Sequence, residues 1–248
     1  MSVIARLASL LGLLALWQFA ALESSPRLLP APVAVFATIA AEARSGALFA
    51  NLGVTLVRVL IAFALAMTLG SALGLAMGRR RTFDTIADPW LVVLLNLPAL
   101  VIIVLAYIWA GLTEAAAIGA VALNKLPNTI VTVREGARAL DASLDEMATA
   151  FRMSRITRLR HVLLPQLAPY LAAATRSGLS LVWKIVLVVE TLGRPNGVGF
   201  EIGAAFQLFD VRLLLAYTIP FVCVMLAIET ILVQPLERRI SRWRPRAA

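Results

Sequence analysis

The sequence is poor in the residues that form disulfides and metal centres. It contains one cysteine, Cys223, and one histidine, His161, among 248 residues. A single cysteine excludes a disulfide within the chain, and a single histidine excludes a metal site built from several histidines. The sequence also lacks the Gly-x-x-x-x-Gly-Lys-Ser/Thr loop of nucleotide-binding proteins and a Gly-x-Ser-x-Gly nucleophile turn. We therefore predict no catalytic residue and no metal or cofactor on this chain.

Charged residues are also scarce. They make up 15% of the chain, and 60% of the residues are hydrophobic, whereas soluble domains have about 25% charged and 45–50% apolar residues. This composition predicts a membrane protein in contact with lipid. The net charge of +9 is distributed between apolar segments rather than gathered in one patch, which argues against a nucleic-acid partner.

Six apolar segments approach the roughly 20 residues that a helix needs to cross a bilayer. We expect an all-α protein with about six transmembrane helices, forming a single transmembrane domain over residues 1–248. Pro98 and Pro127 fall inside the third and fourth spans, where buried prolines are tolerated. The first segment has a signal peptide as its alternative, but its end lacks a small-residue cleavage site. The predicted spans are 3–22, 54–78, 89–111, 115–133, 167–189 and 211–233.

The arginines predict the orientation of these spans. In a six-span arrangement three basic clusters share one side, and the isolated arginines Arg27, Arg44 and Arg194 lie on the other. The positive-inside rule makes the first side cytoplasmic, so we expect both termini in the cytoplasm. The segment 28–50 then lies outside, with a short helix at 33–43. The basic clusters are 79–81, 134–160 and 238–246.

A polar, arginine-rich loop at about 138–165 separates the fourth and fifth spans. Leu144–Met153 contains good helix formers, and Ser154 is a suitable N-cap for a second helix over Arg155–Leu164. Met147, Ala150 and Phe151 form an apolar stripe at helical spacing that no bilayer covers. Such a stripe indicates a surface for a partner protein. The alternative is a basic loop that touches anionic lipid headgroups.

This loop resembles the "EAA" loop of permease subunits of binding-protein-dependent ABC importers. Glu146-Met-Ala148 matches the opening of that motif, and Val162, Leu164 and Pro165 match its end at the family's spacing. Arg152 replaces the family's glycine. Because arginine adopts positive φ at a cost, we expect either a gentler bend or a contact between Arg152 and the partner. The resemblance implies an ATPase-coupling surface formed by Glu146, Met147, Ala148, Phe151, Arg152, Ser154, Leu164 and Pro165.

Other short motifs, in the same order along the chain, resemble sulfonate-, taurine- and nitrate-type permeases. They are Leu29–Val33, Thr55–Arg58, Asp88-Pro89, Leu97-Pro98 and Gly197–Phe200. The resemblance implies a type I ABC importer-like permease fold, a homodimer of permeases and two cytoplasmic ATPase subunits that bind ATP and Mg. It also implies a periplasmic or lipid-anchored substrate-binding protein and location in the bacterial cytoplasmic (inner) membrane as a multi-pass protein.

The charges inside the predicted spans suggest the class of solute. Lys125, Arg176 and Lys184 outnumber the acids Glu190 and Glu229, and charges within a membrane usually face an internal path. An excess of cations favours an anion. Two alternatives stay open: Arg176 forms a structural ion pair with Glu229, and Lys184 snorkels to the outer interface. The predicted path residues are Asn96, Lys125, Arg176, Trp183 and Lys184.

These observations predict a permease subunit rather than an enzyme, with ATP hydrolysis on a separate subunit. The expected solute is small and anionic, such as a sulfonate, taurine or nitrate. The alternative within the same class is a neutral or aromatic nutrient, such as a vitamin or its precursor. The alternative from another class is an ion-coupled secondary transporter, for which Glu229 is the candidate titratable acid.

Overall fold

A computed structural model describes residues 3–235, and within this range the chain is helical and contains no strand. The expectation of an all-α protein is therefore confirmed. The helices are α1 Val3–Glu23, α2 Pro32–Ser45, α3 Ala47–Arg79, α4 Arg81–Asn96, α5 Ala99–Ala110, α6 Glu114–Arg138, α7 Ala142–Ala150, α8 Arg155–Arg158, α9 Leu164–Gly193, α10 Val198–Gln207 and α11 Val211–Ile228. Two π-helical turns, Leu159–Leu163 and Glu229–Val233, precede α9 and follow α11.

Four helical segments are long and apolar enough to cross a membrane, and they contain the predicted second, fourth, fifth and sixth spans. They are Ala47–Arg79, Glu114–Arg138, Arg155–Gly193 and Val211–Val233. Within α1, the apolar helical stretch Leu11–Glu23 is shorter than a transmembrane span. The first span therefore stays a prediction. The basic cluster 238–246, which we used to orient the last span, lies outside the described residues.

The predicted third span is not one continuous helix. Its two halves, α4 and α5, meet at an angle of 99°. Leu97 is extended, with φ −72° and ψ 124°, because the ring of Pro98 disfavours helical geometry in the residue before it. Pro98 also has no N–H to continue the helical ladder. Pro98 therefore interrupts the helix of the predicted third span, which is either broken or re-entrant.

The chain divides into two compact units. One contains the chain up to Val57 together with Leu187–Leu226. Within it α1 contacts α2, and Trp17 Nε1 donates a 3.1 Å hydrogen bond to the carbonyl of Pro30. The helix predicted at 33–43 is present as α2, with Pro32 in its first turn and Gly46 in the left-handed conformation after its end.

The other unit contains Arg58–Val186 and resumes at Ala227. Here three glycines spaced one turn apart on α3, namely Gly70, Gly74 and Gly78, bring this helix against α6. A Cβ at Gly74 would lie 2.6 Å from the carbonyl oxygen of Ile130, so only glycine permits this approach. The close packing fixes the position of α6, which carries Lys125.

Helix α4 lies along α6 and is held there by apolar packing and by charge. Met77, Leu91 and Ile130 form a buried cluster that joins α3, α4 and α6. Towards the end of α6, Arg134 pairs with Asp84 and Asp88 of α4. These contacts hold the first half and the middle of α4 beside α6.

Candidate functional site

A cavity of about 430 Å³ lies between α6 and α9 and is closed on one side by Leu95 of α4. Helix α6 contributes polar side chains one or two turns apart, and α9 contributes a second row at the same spacing. Leu95, Val131 and Leu181 form the apolar part of the wall. The polar lining residues are Lys125, Asn128 and Thr132 on α6, and Ser177, Ser180 and Lys184 on α9.

Lys125 is the distinctive residue of this cavity. It lies midway along α6 and is 1% exposed. Among residues 3–235 its ammonium group has no hydrogen-bond or ion-pair partner. A buried charge is normally compensated by an opposite charge or by hydrogen bonds. Lys125 therefore presents an uncompensated cation to the cavity.

The hydroxyl groups of the cavity are already engaged as donors. Ser177 donates to the carbonyl of Ala173 at 3.0 Å, and Ser180 donates to the carbonyl of Ser177 at 3.0 Å. Thr132 donates to the carbonyl of Asn128 at 2.9 Å in the same way. Serine and threonine in helices often bond backwards to their own helix. The two lysines and the side-chain amide of Asn128 are consequently the donors available to an anion.

The structure brings together two of the five predicted path residues. Lys125 and Lys184 line the cavity, whereas Asn96, Arg176 and Trp183 are not among its lining residues. Asn96 donates to the carbonyl of Val92 in its own helix, and Trp183 is buried elsewhere on α9.

Sequence reasoning missed Asn128, Thr132, Ser177 and Ser180. A signal was present, because polar residues recur at three- and four-residue spacing beside each lysine. That spacing places each row on a single helix face.

The loop at about 138–165, which the sequence predicts to be cytoplasmic, forms two short helical segments. Asp141 caps α7 by accepting the N–H of Ser143, and Ser154 caps α8 by accepting the N–H of Thr157. The predicted N-cap role of Ser154 is confirmed. The helix predicted over 155–164 does not end there, however. It passes through the π turn Leu159–Leu163 into α9.

The π turn has a local cause. Pro165 cannot donate the backbone hydrogen bond that the carbonyl of His161 would accept in an α-helix. The hydrogen-bond pattern shifts by one residue instead, so that the N–H of Leu164 bonds to the carbonyl of Leu159. Single π turns commonly accommodate a missing hydrogen bond within a helix. Leu164 and Pro165 therefore begin α9 rather than ending an independent loop helix.

Arg152 adopts a left-handed backbone conformation with φ +49°. The N–H of Arg152 bonds to the carbonyl of Thr149, and the N–H of Met153 bonds to the carbonyl of Ala148. These two bonds form a Schellman motif, whose left-handed position is usually glycine. The expectation of a gentler bend is wrong, since two hydrogen bonds outweigh the preference of arginine. A contact between Arg152 and a partner stays a prediction.

The loop exposes several large apolar side chains, which together form what we call the loop patch. Phe151 is 75% exposed and Ile156 is 79% exposed. Ala148 was expected in the same surface, but it is 1% exposed. It lies on the inward side of α7, which packs against the π turn, and cannot contact a partner. The loop patch consists of Leu144, Met147, Phe151, Ile156 and Leu159.

Asp145 connects three elements beneath the loop patch. Its carboxylate accepts a 2.7 Å hydrogen bond from Nε of Arg158 in α8 and a 2.8 Å hydrogen bond from Arg79 at the end of α3. The hydrogen bond from Arg158, followed by the charges of both arginines, lowers the pKa of Asp145. The loop is thus tied to the end of a long helix by an ionised side chain. Glu146, the first residue of the loop motif, lies exposed beside it.

The glycine-rich segment Gly193–Gly199 does not form a phosphate-binding loop. It folds around the carboxylate of Glu190, which is fully buried and accepts the N–H of Gly199 and the hydroxyl of Thr55. Gly197 has φ +107°, and a Cβ there would lie 2.5 Å from the Glu190 carboxyl carbon. A carboxylate at the centre would repel phosphate, so the segment is a structural turn, as expected.

Comparison with known proteins identifies related membrane proteins. The family described as "Binding-protein-dependent transport system inner membrane component" matches residues 66–242. The "Putative aliphatic sulfonates transport permease protein SsuC" of Escherichia coli K12 is 31% identical, over 94% of this chain and 89% of its own length. The taurine transport system permease protein TauC of the same organism is 25% identical, over 92% and 84%.

The fold also has a solved counterpart. A chain of the MetNI methionine ABC transporter, solved in inward-facing conformations, superposes with a TM-score of 0.64 at 17% sequence identity. The superposition covers 78% of this chain and 95% of that chain. At this level of identity the similarity shows a common fold, that of ABC importer permeases.

Proposed function

The chain belongs to the family of binding-protein-dependent transport system inner membrane components, and we propose that it forms the membrane path for a small anionic solute. The family consists of membrane components of transport systems and not of enzymes. The protein is accordingly a multi-pass permease subunit that works with a separate ATPase. The nature of the solute and of the path is inferred from the cavity.

One observation carries this proposal: Lys125 is 1% exposed in the cavity wall and has no acidic partner within residues 3–235. Burying a charge away from water costs several kcal/mol unless an opposite charge compensates it. A passing anion would supply that charge for the time it occupies the cavity. Lys184, which is exposed on the same wall, would attract the anion to the entrance.

The apolar part of the cavity lining and the names of the relatives support an organic anion. SsuC and TauC are named for aliphatic sulfonates and for taurine, which carry a negative sulfonate on a short carbon chain. The lysines would hold the sulfonate, and Leu95, Val131 and Leu181 would contact the carbon chain. A neutral nutrient such as a vitamin precursor would leave Lys125 uncompensated and is less well supported. Membership of this family likewise favours the importer over an ion-coupled transporter that works alone.

The proposed assembly is a homodimer of this chain with two cytoplasmic ATPase subunits and a substrate-binding protein outside. ATP and Mg would bind to the ATPase, which would contact the loop patch. The arginine distribution supports a cytoplasmic location of the loop and of both termini. Closure of the ATPases would move α7, and the ion pairs of Asp145 would transmit this movement to α3 and α8.

Uptake by the reconstituted transporter tests the proposal. The permease, its cognate ATPase and its binding protein would be placed in liposomes with radiolabelled ethanesulfonate, taurine, nitrate or riboflavin. Lys125→Gln should lower uptake of the preferred anion about tenfold at limiting concentration, because a hydrogen bond to a charged group is lost. Arg212→Gln removes an exposed charge far along the sequence and serves as the control. Preferred uptake of riboflavin, or unchanged uptake by Lys125→Gln, would contradict the proposal.

A further inference from the structure

We infer that Gly178 is a positioning residue that holds the Lys125 ammonium group at the cavity wall; this inference rests on the proposed function. Gly178 lies inside α9 at a buried position. A Cβ added there would lie 2.0 Å from Cε and 2.5 Å from Nζ of Lys125. The missing side chain therefore creates the slot that the lysine occupies. Glycine is disfavoured inside helices, so a steric requirement explains its presence here.

Gly178 differs from the glycines that bring α3 against α6. At Gly74 an added Cβ meets the backbone oxygen of Ile130 at 2.6 Å, and at Gly78 it meets the Cβ of Ala137 at 2.5 Å. Neither of those neighbours can move without shifting a helix. At Gly178 the three nearest atoms all belong to the flexible end of Lys125. A methyl group at this position would displace the lysine and leave the helix packing in place.

The expected consequence is a loss of positive charge at the cavity surface. Lys125 emerges from α6, and its side chain crosses to α9 and ends beside Gly178. If the slot is filled, Nζ must withdraw from this point, and an anion beside Ser177 and Ser180 loses one of the two lysine charges of the cavity. Gly178 thereby sets the affinity of the site for anions, although it makes no polar contact with them.

A charge-sensitive labelling experiment tests this inference without knowledge of the natural solute. Cys223 is the only cysteine of the chain and is replaced by serine, and Ser180→Cys introduces a reactive thiol in the cavity wall. The assembled transporter is treated with anionic sulfonatoethyl and cationic trimethylammonioethyl methanethiosulfonate. The ratio of the two rates reports the local potential, because steric effects on access largely cancel.

Lys125→Gln should lower the anion-to-cation rate ratio about tenfold, since a unit charge at close range is removed. Gly178→Ala should lower it roughly threefold to tenfold. In the Lys125→Gln background, Gly178→Ala should change nothing further, because its effect acts through the lysine. Gly119→Ala is the matched control, since an added Cβ there has nothing within 4 Å. Thermal unfolding of each variant reports its effect on packing.

The outcomes separate this inference from the proposed function. If Lys125→Gln leaves the ratio unchanged, the anion site itself is refuted. If Lys125→Gln lowers the ratio but Gly178→Ala does not, the site stands and the positioning role is overturned. A further decrease in the double variant would also overturn it, because Gly178 would then act through packing. If Gly178→Ala fails to fold, Lys125→Ala with Gly178→Ala removes the collision, and only restored folding supports the inference.

Discussion

The guanidinium of Arg79, at the last residue of α3, donates a 2.8 Å hydrogen bond to the carboxylate of Asp145 in the loop between α6 and α9. Arg158 binds the same carboxylate from α8. One ionised side chain therefore connects a long transmembrane helix with both short helices of the loop. This relationship provides a physical route by which a displacement of the loop reaches the membrane.

We predict that Asp145→Asn uncouples ATP hydrolysis from uptake more than it destabilises the fold. The amide lacks the negative charge that holds two arginines, and a partly exposed ion-pair network contributes about 1 kcal/mol to stability. Uptake per ATP hydrolysed should fall in proteoliposomes, while the ATPase remains bound to the permease. Ser143→Asn, an exposed change on the same helix, is the control.

The pH dependence of this variant provides a second check. The pKa of Asp145 is lowered in the folded protein. Its contribution to the free energy of unfolding is therefore fully present above the ordinary carboxyl pKa of about 3.9, and it decreases as pH falls through the lowered folded value. The difference in stability between the natural chain and Asp145→Asn should stay constant between pH 5 and pH 8. A difference that disappears within that interval would contradict an ion pair formed by this carboxylate.

We predict that Arg152→Gly stabilises the permease by about 1 kcal/mol, because it relieves a left-handed backbone at a non-glycine residue. Arg152→Ala keeps the strain and should not stabilise. Thermal unfolding of the detergent-solubilised protein measures both. The same pair of variants tests the predicted contact with the ATPase: weaker co-purification with both would indicate that the guanidinium binds the partner.

The apolar loop patch gives a direct test of the ATPase interface. Phe151→Asp and Ile156→Asp should each abolish co-purification with the cognate ATPase, because a carboxylate buried in an apolar interface is strongly unfavourable. Both side chains are largely exposed, so the permease itself should stay folded. Ser143→Asp adds the same charge elsewhere on α7 and should leave the complex intact. Normal association and normal uptake in Phe151→Asp would remove the loop patch from the interface.

Much of this architecture could be predicted because it depends on interactions between residues that are close together in the sequence. Long apolar segments identified four spans, and the hydrogen-bonding ability of Ser154 identified a helix start. The 99° break before Pro98 was also a local effect, since proline restricts the residue before it, but the surrounding apolar run concealed it. Arg152 could not be predicted in the same way, because the hydrogen bonds of the Schellman motif override the residue's own preference.

The cavity could be predicted only in part. Lys125 and Lys184 were identifiable because charges are rare within membrane spans. The neighbours Asn128, Ser177 and Ser180 depend on which faces of α6 and α9 meet, and only the packing determines this. The slot at Gly178 is likewise a property of two helices together. The burial of Ala148 could not be predicted for the same reason. The spacing of apolar residues along α7 does not reveal that this helix packs against the π turn.

The orientation of the spans predicts which positions a membrane-impermeant thiol reagent can reach. In a chain with Cys223→Ser, cysteines at the exposed positions Ser45 and Asn196 should be labelled in intact cells. Cysteines at Ser143, in the loop, and at Ser241, which lies outside the described residues, should be labelled only after the membrane is opened. The expectation follows from the arginine asymmetry. External labelling at Ser143 would reverse the proposed topology.

Gly197 and Gly46 allow backbone strain to be separated from steric collision. Both have positive φ, +107° and +83°, but a Cβ at Gly46 has nothing within 4 Å, whereas one at Gly197 would lie 2.5 Å from the carboxyl group of Glu190. Gly46→Ala should therefore lower stability by about 1 kcal/mol, because a residue with a Cβ is strained in a left-handed backbone conformation. Gly197→Ala should cost clearly more, because the buried carboxylate must also move away from its donors.

The donors in question are the hydroxyl of Thr55 and the N–H of Gly199, which bind the Glu190 carboxylate at 3.0 Å and 2.8 Å. A buried donor left unsatisfied costs about 1–3 kcal/mol, so the difference between the two glycine variants should fall in that range. Thermal unfolding of both proteins in the same detergent measures it. Equal losses would mean that Glu190 relaxes without losing its partners, and that the turn is not built around this carboxylate.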